Sequence, residues 1–447
     1  MSRDLLAKPY SRREFVVVSG GMLLGAACVG CRDAETRPTV NRPPPGAKPS
    51  VPEYHQMVRA RIGRVRNSGR VGIGSDEQVL IAEPWGAAFR GKCVAKRSKN
   101  HWVVTDENGA RHDLDGDDPV VFRAEHNEVI EVRLSATKQR RYAGTIHLHP
   151  RPRVGDVSFD VVSHVDMEAY LPGVLAGELY AHWHPETFAA QAVAARSYAM
   201  AEAAQRKETS HYDLTDGPST QVYVGDVTLK AAHRATEETR GLVLAWEGDV
   251  VPGYYCSCCG GLAATAMDAI SASPIHDIPP LQGHDGHDAC TSLDLHQWVV
   301  ERRPRTLARR LELYARDRGD IASLSSVPLP RSIETAAVNR HGRPTRLAIR
   351  GRRNRSVVVG ADMFMRAANY ATGSITAPSS ADRVRSSHVG AHRDGANLTL
   401  TGFGMGHGVG LCQRGAQVLA GRGEKFETIL KWYFPSVLLQ QMQDVSI

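Results

Sequence analysis

Hydrophobic positions set two different rhythms along the chain. Between residues 58 and 150, Val, Ile and aromatic residues alternate or cluster in short runs: "VRARIGRV", "EQVLIAEP", "HWVVTDENGARHDL", "DDPVVFRAE", "VIEVRLSA" and "YAGTIHLHP". Turn residues such as Asn108–Gly109 and Asp115–Gly116 separate them. A period near two sends successive side chains to opposite faces, so these runs predict strands. From Met167 the rhythm changes. "MEAYLPGVLAGEL" predicts a short helix, with Pro172 tolerable near its start or at a kink. "HPETFAAQAVAARSYAMAEAAQR" predicts a longer one. There Pro185 suits the first turn, Glu186 suits the positive end, and alanine favours helix. Phe188, Ala192, Ala195 and Ala199 share one apolar face.

Farther on, "GLVLAWEGDVVPGYYCSCCGG" has strand character, and "RTLARRLELYARDRG" predicts a basic helix solvated on most sides. "PTRLAIRGRRNRSVVVGADMFMRAAN" reads as strand, turn, strand and short helix, and "SSADRVRSSHVGAHRDGA" as a polar loop. "FETILKWYFPSV" predicts a helix or an aromatic cap. The expected fold class is α+β. A β-rich part (58–162) precedes a helical part (163–245), followed by a β-rich part with a Gly-rich motif (246–437) and a tail (438–447).

The N-terminus carries a different message. Arg12 and Arg13 precede an apolar run from Phe15 to about Gly30, too short to span a bilayer. Residues 1–31 therefore read as an export signal of twin-arginine character. Cys31 follows "CVG", a poor lipoprotein cleavage box, and the alternative is cleavage near Ala26–Ala27 without lipid. Residues 32–57, rich in proline, read as an extended tether. The expected location is the periplasm or cell envelope, with membrane attachment only through the signal or a lipid at Cys31. A formal charge of +7 over 447 residues favours an acidic partner surface. The chain has no Walker loop, zinc-finger spacing or RNP-like run, so nucleic acid is not the expected partner.

Three stretches carry candidate chemistry. Glu178 lies among Val174, Leu175, Ala176, Gly177 and Leu179. Taken alone, a glutamate there is a solvated or ion-paired surface acid. Enclosed by such neighbours, its carboxyl is held protonated near neutral pH and can donate to a leaving oxygen. "GFGMGHGVGLCQRGAQVLAGRG" (402–423) alternates glycines with other residues and centres on His407. It is either a backbone brought close to a ligand or a turn region with His407 packed inside. "YYCSCCGGLAATA" with "HDGHDAC" gathers Cys256, Cys258, Cys259, His284, His287 and Cys290. These residues could hold zinc, but the spacing is not that of a zinc knuckle. In an exported protein a disulfide involving Cys290 is the favoured use.

Several segments, in order, resemble the SpoIID/LytB family of bacterial cell-wall proteins. "RARIG" is similar to its opening, and "RRYAGTIHL" to its Tyr-Arg-Gly strand. "MEAYLPGVLAGELYAHWHPETFAAQAVAARSYAM" is similar to its signature block, and "STQVYVG" to its Gln-Val-Tyr-x-Gly motif. "TRGLVLAWEGDVVPGYYCSCCGG", the Gly-rich run and "ILKWYFPS" resemble its later motifs. The resemblance covers about residues 59–437.

It implies action on peptidoglycan. SpoIID-type members are lytic transglycosylases of glycan strands lacking peptide stems, and LytB-type members are described as enhancers of a wall amidase. Glu178 aligns with the catalytic glutamate. Gln191, Arg196, Tyr198, Ser257, Gly260, Gly261, His407 and Gln413 are the substrate-binding residues the resemblance implies. Some members bind zinc just before the Gln-Val-Tyr motif, where this chain has Thr215, Ser219 and Thr220. Hydroxyls are poor zinc ligands, so no zinc is expected at that place, and no cofactor. The expected reaction uses one acid, which protonates the glycosidic oxygen and then takes the proton of the sugar's own C6 hydroxyl, closing a 1,6-anhydro ring. The alternatives are a glycan-binding module that stimulates an amidase, and a zinc hydrolase built on the Cys–His stretch.

Overall fold

The computed structural model describes residues 57–442 apart from 67–68, 84–85, 100, 117, 126–128, 152–156, 294–295, 320–323 and 325–326. The export signal and almost all of the tether fall outside the described residues. No helix among those described is long and apolar enough to cross a membrane.

The fold is α+β. The first rhythm of the sequence becomes an 11-stranded sheet. Its main path runs from Leu214–Thr215 through Met57–Val65, Phe159–Asp166, Thr145–Pro150, Val120–Ala124, Arg70–Glu83, Ala87–Ser98 and His101–Asp106 to Arg111–Asp115. Pairing is antiparallel except between Met57–Val65 and the two-residue strand at its edge. Alternation is visible in Met57–Val65, where Val58, Ala60 and Ile62 are buried and their neighbours are not.

Phe159–Asp166 leads straight into helix α1 (Met167–Glu178). Asp166 caps it, accepting from the Glu168 and Ala169 N–H groups at 2.8 and 3.4 Å. Pro172 sits inside this helix, so the chain tolerates it past the first turn. Helix α2 (Pro185–Arg206) begins at His184, whose ring accepts from the Glu186 N–H. Its predicted apolar face is buried, and most of the rest is too, because small alanines allow neighbours on several sides. Helix α3 (Lys230–Glu238) packs against both. A single-turn helix, α4 (Ala266–Ala269), follows the strap Tyr254–Gly261.

A second core lies beneath a six-stranded antiparallel sheet. Its strands run in the order Gln297–Arg302, Asn397–Phe403, Val389–Asp394, Ser332–Val338, Pro344–Arg350 and Ser356–Gly360. Helices α5 (Pro304–Asp317) and α6 (Ala361–Ala368) contribute to that core. Three expectations are corrected here. Helix α5 is amphipathic and not mostly solvated, since Leu307, Leu311 and Ala315 are buried in this core. The expected polar loop contains the strand Val389–Asp394, turned at Gly395 with φ +55. The tail starts later than expected, because Leu438–Gln441 pairs with Leu242–Trp246.

The Gly-rich motif leaves the second core and returns to the first. It enters helix α7 (Gln413–Gly421), and helix α8 (Phe426–Tyr433) follows it. Both close over α2.

Candidate active site

Two glycines one helical turn apart set the geometry. A Cβ at Gly173 would stand 2.2 Å from the Gly225 carbonyl oxygen, and one at Gly177 would stand 2.3 Å from that of Val222. Only glycine lets the segment Gln221–Gly225 lie directly on α1. The segment is held there by Gln221, whose amide donates to the Ala195 carbonyl and accepts from the Tyr170 hydroxyl. As a result the Val222 N–H points at the last residue of α1 and donates to Glu178 Oε1 at 2.8 Å.

Glu178 is half-buried as a residue, but its Oε2 is shut from solvent and has no hydrogen-bond partner. The Tyr255 hydroxyl donates to Oε1 at 3.3 Å. Burial pushes the carboxyl up to about 7, against the smaller opposing effects of the Val222 N–H, Gln413 and Tyr255. Its position at the negative end of α1 acts in the same direction as burial. No cation among the described residues pairs with it. Gln413, buried at the start of α7, donates to Gln191 Oε1 at 3.4 Å, and Gln191 Nε2 is buried without a partner.

Beside this group, with Tyr255 as the shared wall, is a cavity of about 220 Å³. It is lined by Tyr198, Tyr254, Tyr255, His407, Glu202, Arg206, His276, Ser219 and Thr220 among others, and Glu178 is not one of its lining residues. His407 is buried there, its Nδ1 accepting from the Val409 N–H at 3.0 Å. Burial, with Arg343 nearby, pushes it down to about 4, so the ring is neutral. Thr215 Oγ1 lies 2.8 Å from Ser219 Oγ and 3.2 Å from Thr220 Oγ1, a set of hydroxyls that bond to one another.

The sequence-derived candidates therefore divide. Glu178, Gln191 and Gln413 come together, and Tyr198 and His407 line the adjoining cavity. Arg196 does not join them. It is fully buried and bound through two nitrogens to Glu168, at 2.9 and 2.7 Å, with a third bond to the Leu242 carbonyl at 3.0 Å. A guanidinium so engaged and fully buried ties α1 to α2 and is not presented to a sugar.

Gly260 and Gly261 also serve the chain itself. A Cβ at Gly260 would meet the Phe403 carbonyl at 2.6 Å, and one at Gly261 would meet Thr291. Ser257 belongs to the same strap, its carbonyl accepting from the Arg414 N–H. The Gly-rich motif runs against this strap. Gly404, Gly406, Gly408 and Gly410 all have positive φ, and a Cβ at Gly410 would stand 2.1 Å from the Tyr254 carbonyl oxygen. Gly404 and Gly410 approach backbone, and Gly408 approaches the Arg343 guanidinium, so the close approach of these glycines is to the chain itself.

Two features escaped the sequence reading. Tyr255 was hidden beside the cysteines, and its role is visible only once the strap crosses α1. Tyr180, His182 and Trp183 follow Glu178 by a few residues, with ring centroids 5.8 and 5.3 Å from Tyr180, and form a partly exposed aromatic group. Such rings, close to an acid, are a signal that the sequence did contain.

Residues 156–246 match the family described as SpoIID, stage II sporulation protein. The chain is 26% identical over 294 residues to the amidase enhancer of Bacillus subtilis (strain 168), covering 60% of this chain and 40% of that protein. It is 24% identical over 292 residues to stage II sporulation protein D of Bacillus amyloliquefaciens, covering 62% and 74%. An uncharacterized protein of Brachyspira hyodysenteriae is 26% identical over 278 residues, covering 62% and 67%.

Proposed function

This chain belongs to the SpoIID/LytB family, and we propose that it acts on peptidoglycan as a lytic transglycosylase with Glu178 as acid and then base. The observation that carries the proposal is the asymmetry of that carboxyl. Oε1 is anchored by Val222 and Tyr255, while Oε2 is enclosed and unpartnered. The proton therefore resides on Oε2, and a carboxyl poised near 7 both gives and regains it at neutral pH. Substrate binding has to uncover Oε2, which then protonates the glycosidic oxygen as the bond breaks. The carboxylate left behind takes the proton from the sugar's C6 hydroxyl, whose oxygen closes the anhydro ring. Gln413 and Gln191 supply amide donors for N-acetyl or hydroxyl groups, and Tyr180 and Trp183 offer faces for sugar rings.

The name of the amidase enhancer favours a second reading, a glycan-binding protein that stimulates an amidase. The two readings separate on one preparation. Glycan strands stripped of peptides are incubated with the protein and searched by mass spectrometry for 1,6-anhydromuramyl ends. The expected result is product from wild type and none from Glu178→Gln. Equal product from both would remove Glu178 from the chemistry. Sacculus binding and amidase stimulation with no anhydro product from either would favour the enhancer. Export to the envelope remains part of the proposal and rests on Arg12, Arg13 and the apolar run behind them.

A further inference from the structure

Three separate segments deliver cysteines to one point behind the acid. Cys258 and Cys259 come from the strap, Cys290 from the turn Ala289–Ser292, and Cys412 from the residue that caps α7. None is disulfide-bonded, and all four are at most 1% exposed. The disulfide expected at Cys290 is thus not formed: its sulfur is 3.6 Å from that of Cys259, against about 2.05 Å for a bond. The ligand atoms of Cys259, Asp288, Cys290 and Cys412 all lie within 4.8 Å of one another. The Cys258 thiol contacts those of Cys290 and Cys412. Cys258 adjoins this group through Cys290 and Cys412 and does not belong to it, and Cys256, His284 and His287, which the sequence offered as ligands, are outside it as well.

We infer that Cys258, Cys259, Cys290 and Cys412 form a closed tetrathiolate site for a single zinc ion, which fixes the backbone behind Glu178.

The spacing supports the inference first. Four sulfurs at about 2.3 Å from a tetrahedral ion stand about 3.8 Å apart, close to the 3.6 Å between Cys259 and Cys290. The surroundings are also those of thiolates. Cys412 Sγ accepts from the Cys259 and Gly415 N–H groups, both at 3.3 Å, and sits at the positive end of α7. Asp288 stands behind the cluster, accepting from the Cys290 N–H at 2.7 Å and the Tyr433 hydroxyl at 2.6 Å, as an outer-shell carboxylate that sets a ligand's direction. The Arg343 guanidinium is fully buried and faces Cys256, Cys258 and Cys259 as well as Asp362. Four thiolates around a divalent ion leave a net negative charge that this arginine offsets.

Enclosure excludes the hydrolase reading, because a catalytic zinc keeps a position open to water. The role is mechanical. Tyr255 precedes the ligand Cys258 on the same strap and Gln413 follows the ligand Cys412, so an ion joining strap and helix fixes both residues that approach Glu178 from this side.

The test uses the full chain, purified without chelator from zinc-supplemented medium. Elemental analysis should find about one zinc per chain, and X-ray absorption should give sulfur-only ligation near 2.3 Å. Cys290→Ser should lose the ion, while Cys256→Ser, equally buried but outside the cluster, should retain it. Should Cys290→Ser fail to fold, absorption on wild type still decides. Three outcomes overturn the inference: no bound ion in wild type, non-reduced peptide mapping that links these cysteines in pairs, or zinc with nitrogen ligands that survives Cys290→Ser. The last would place the ion at His147, His149 and His164, whose ring nitrogens also lie within 4.8 Å of one another. Metal content is measured without substrate, so its failure is independent of the role of Glu178.

Discussion

Helix α1 carries an acid near each end, and the two have opposite fates. Glu168, in its first turn, is bound by both oxygens to Arg196 and also accepts the Gly241 N–H at 3.2 Å. Glu178, its last residue, has hydrogen bonds on one oxygen and an enclosed second oxygen with none. A buried carboxylate needs a partner charge or a proton. Glu168 has the charge and so is a fixed strut between α1, α2 and the strand that follows. Glu178 lacks one and holds the proton at neutral pH. Similar burial on the same helix yields structure at one end and a proton carrier at the other, and the difference is a single guanidinium.

The comparison breaks most visibly at Arg196. Replacing it by methionine leaves the Glu168 charge buried without a partner, which should cost about 3–5 kcal/mol in urea unfolding at pH 7. Glu168→Gln in the same background should recover part of that loss. A cost below about 1 kcal/mol would mean that Arg196 is not a strut, and would reopen a role at the substrate.

At the other end the sign reverses. The Glu178 carboxyl is raised from 4.5 to about 7 by folding, so the folded protein binds the proton more tightly than the unfolded chain. Below about pH 4.5 both states are protonated and the site costs nothing. As pH rises from there through 7, stability is lost, to a total of about 3 kcal/mol. Glu178→Gln keeps the acceptor for Val222 and removes the charge. It should match wild type at pH 4 and be more stable by about that amount at pH 8, while losing anhydro-product formation by on the order of 10²–10⁴-fold. Equal stability at both pH values would show that the carboxyl is solvated in both states.

This contrast also explains which parts of the site were legible in the sequence. Glu178 stood out because its chain neighbours Val174, Leu175, Ala176, Gly177 and Leu179 are small or apolar enough to suggest enclosure, whereas Val222, Tyr255 and Gln413, which complete the enclosure, come from distant segments. The two helices and the N-terminal strands were legible for the same reason. Arg196 was misplaced because its partner lies 28 residues earlier on another helix, and no spacing announces such a pair. The glycines between 404 and 410 announced a close approach, but what approaches is the strap some 150 residues earlier, which only the fold reveals. The cysteines showed the same limit, since Cys412 was far from the motif that suggested a cluster.

The smallest effect is the most discriminating. Tyr255→Phe keeps the ring, which packs edge-on to Tyr198 at 6.5 Å, and deletes only the hydroxyl donated to Glu178 Oε1 at 3.3 Å. That bond favours the carboxylate, so its loss raises the Glu178 value further. A hydrogen bond with a net worth of about 1 kcal/mol corresponds to a rise of roughly 0.7 pH units. Carbon-13 NMR titration of the glutamate carboxyls reads this without any substrate, and the alkaline limb of anhydro-product formation should move up by the same interval. If Tyr255 serves only to shape the cavity wall, activity falls evenly at every pH and the titration midpoint stays where it was. The two results separate a residue that tunes the acid from one that merely borders it.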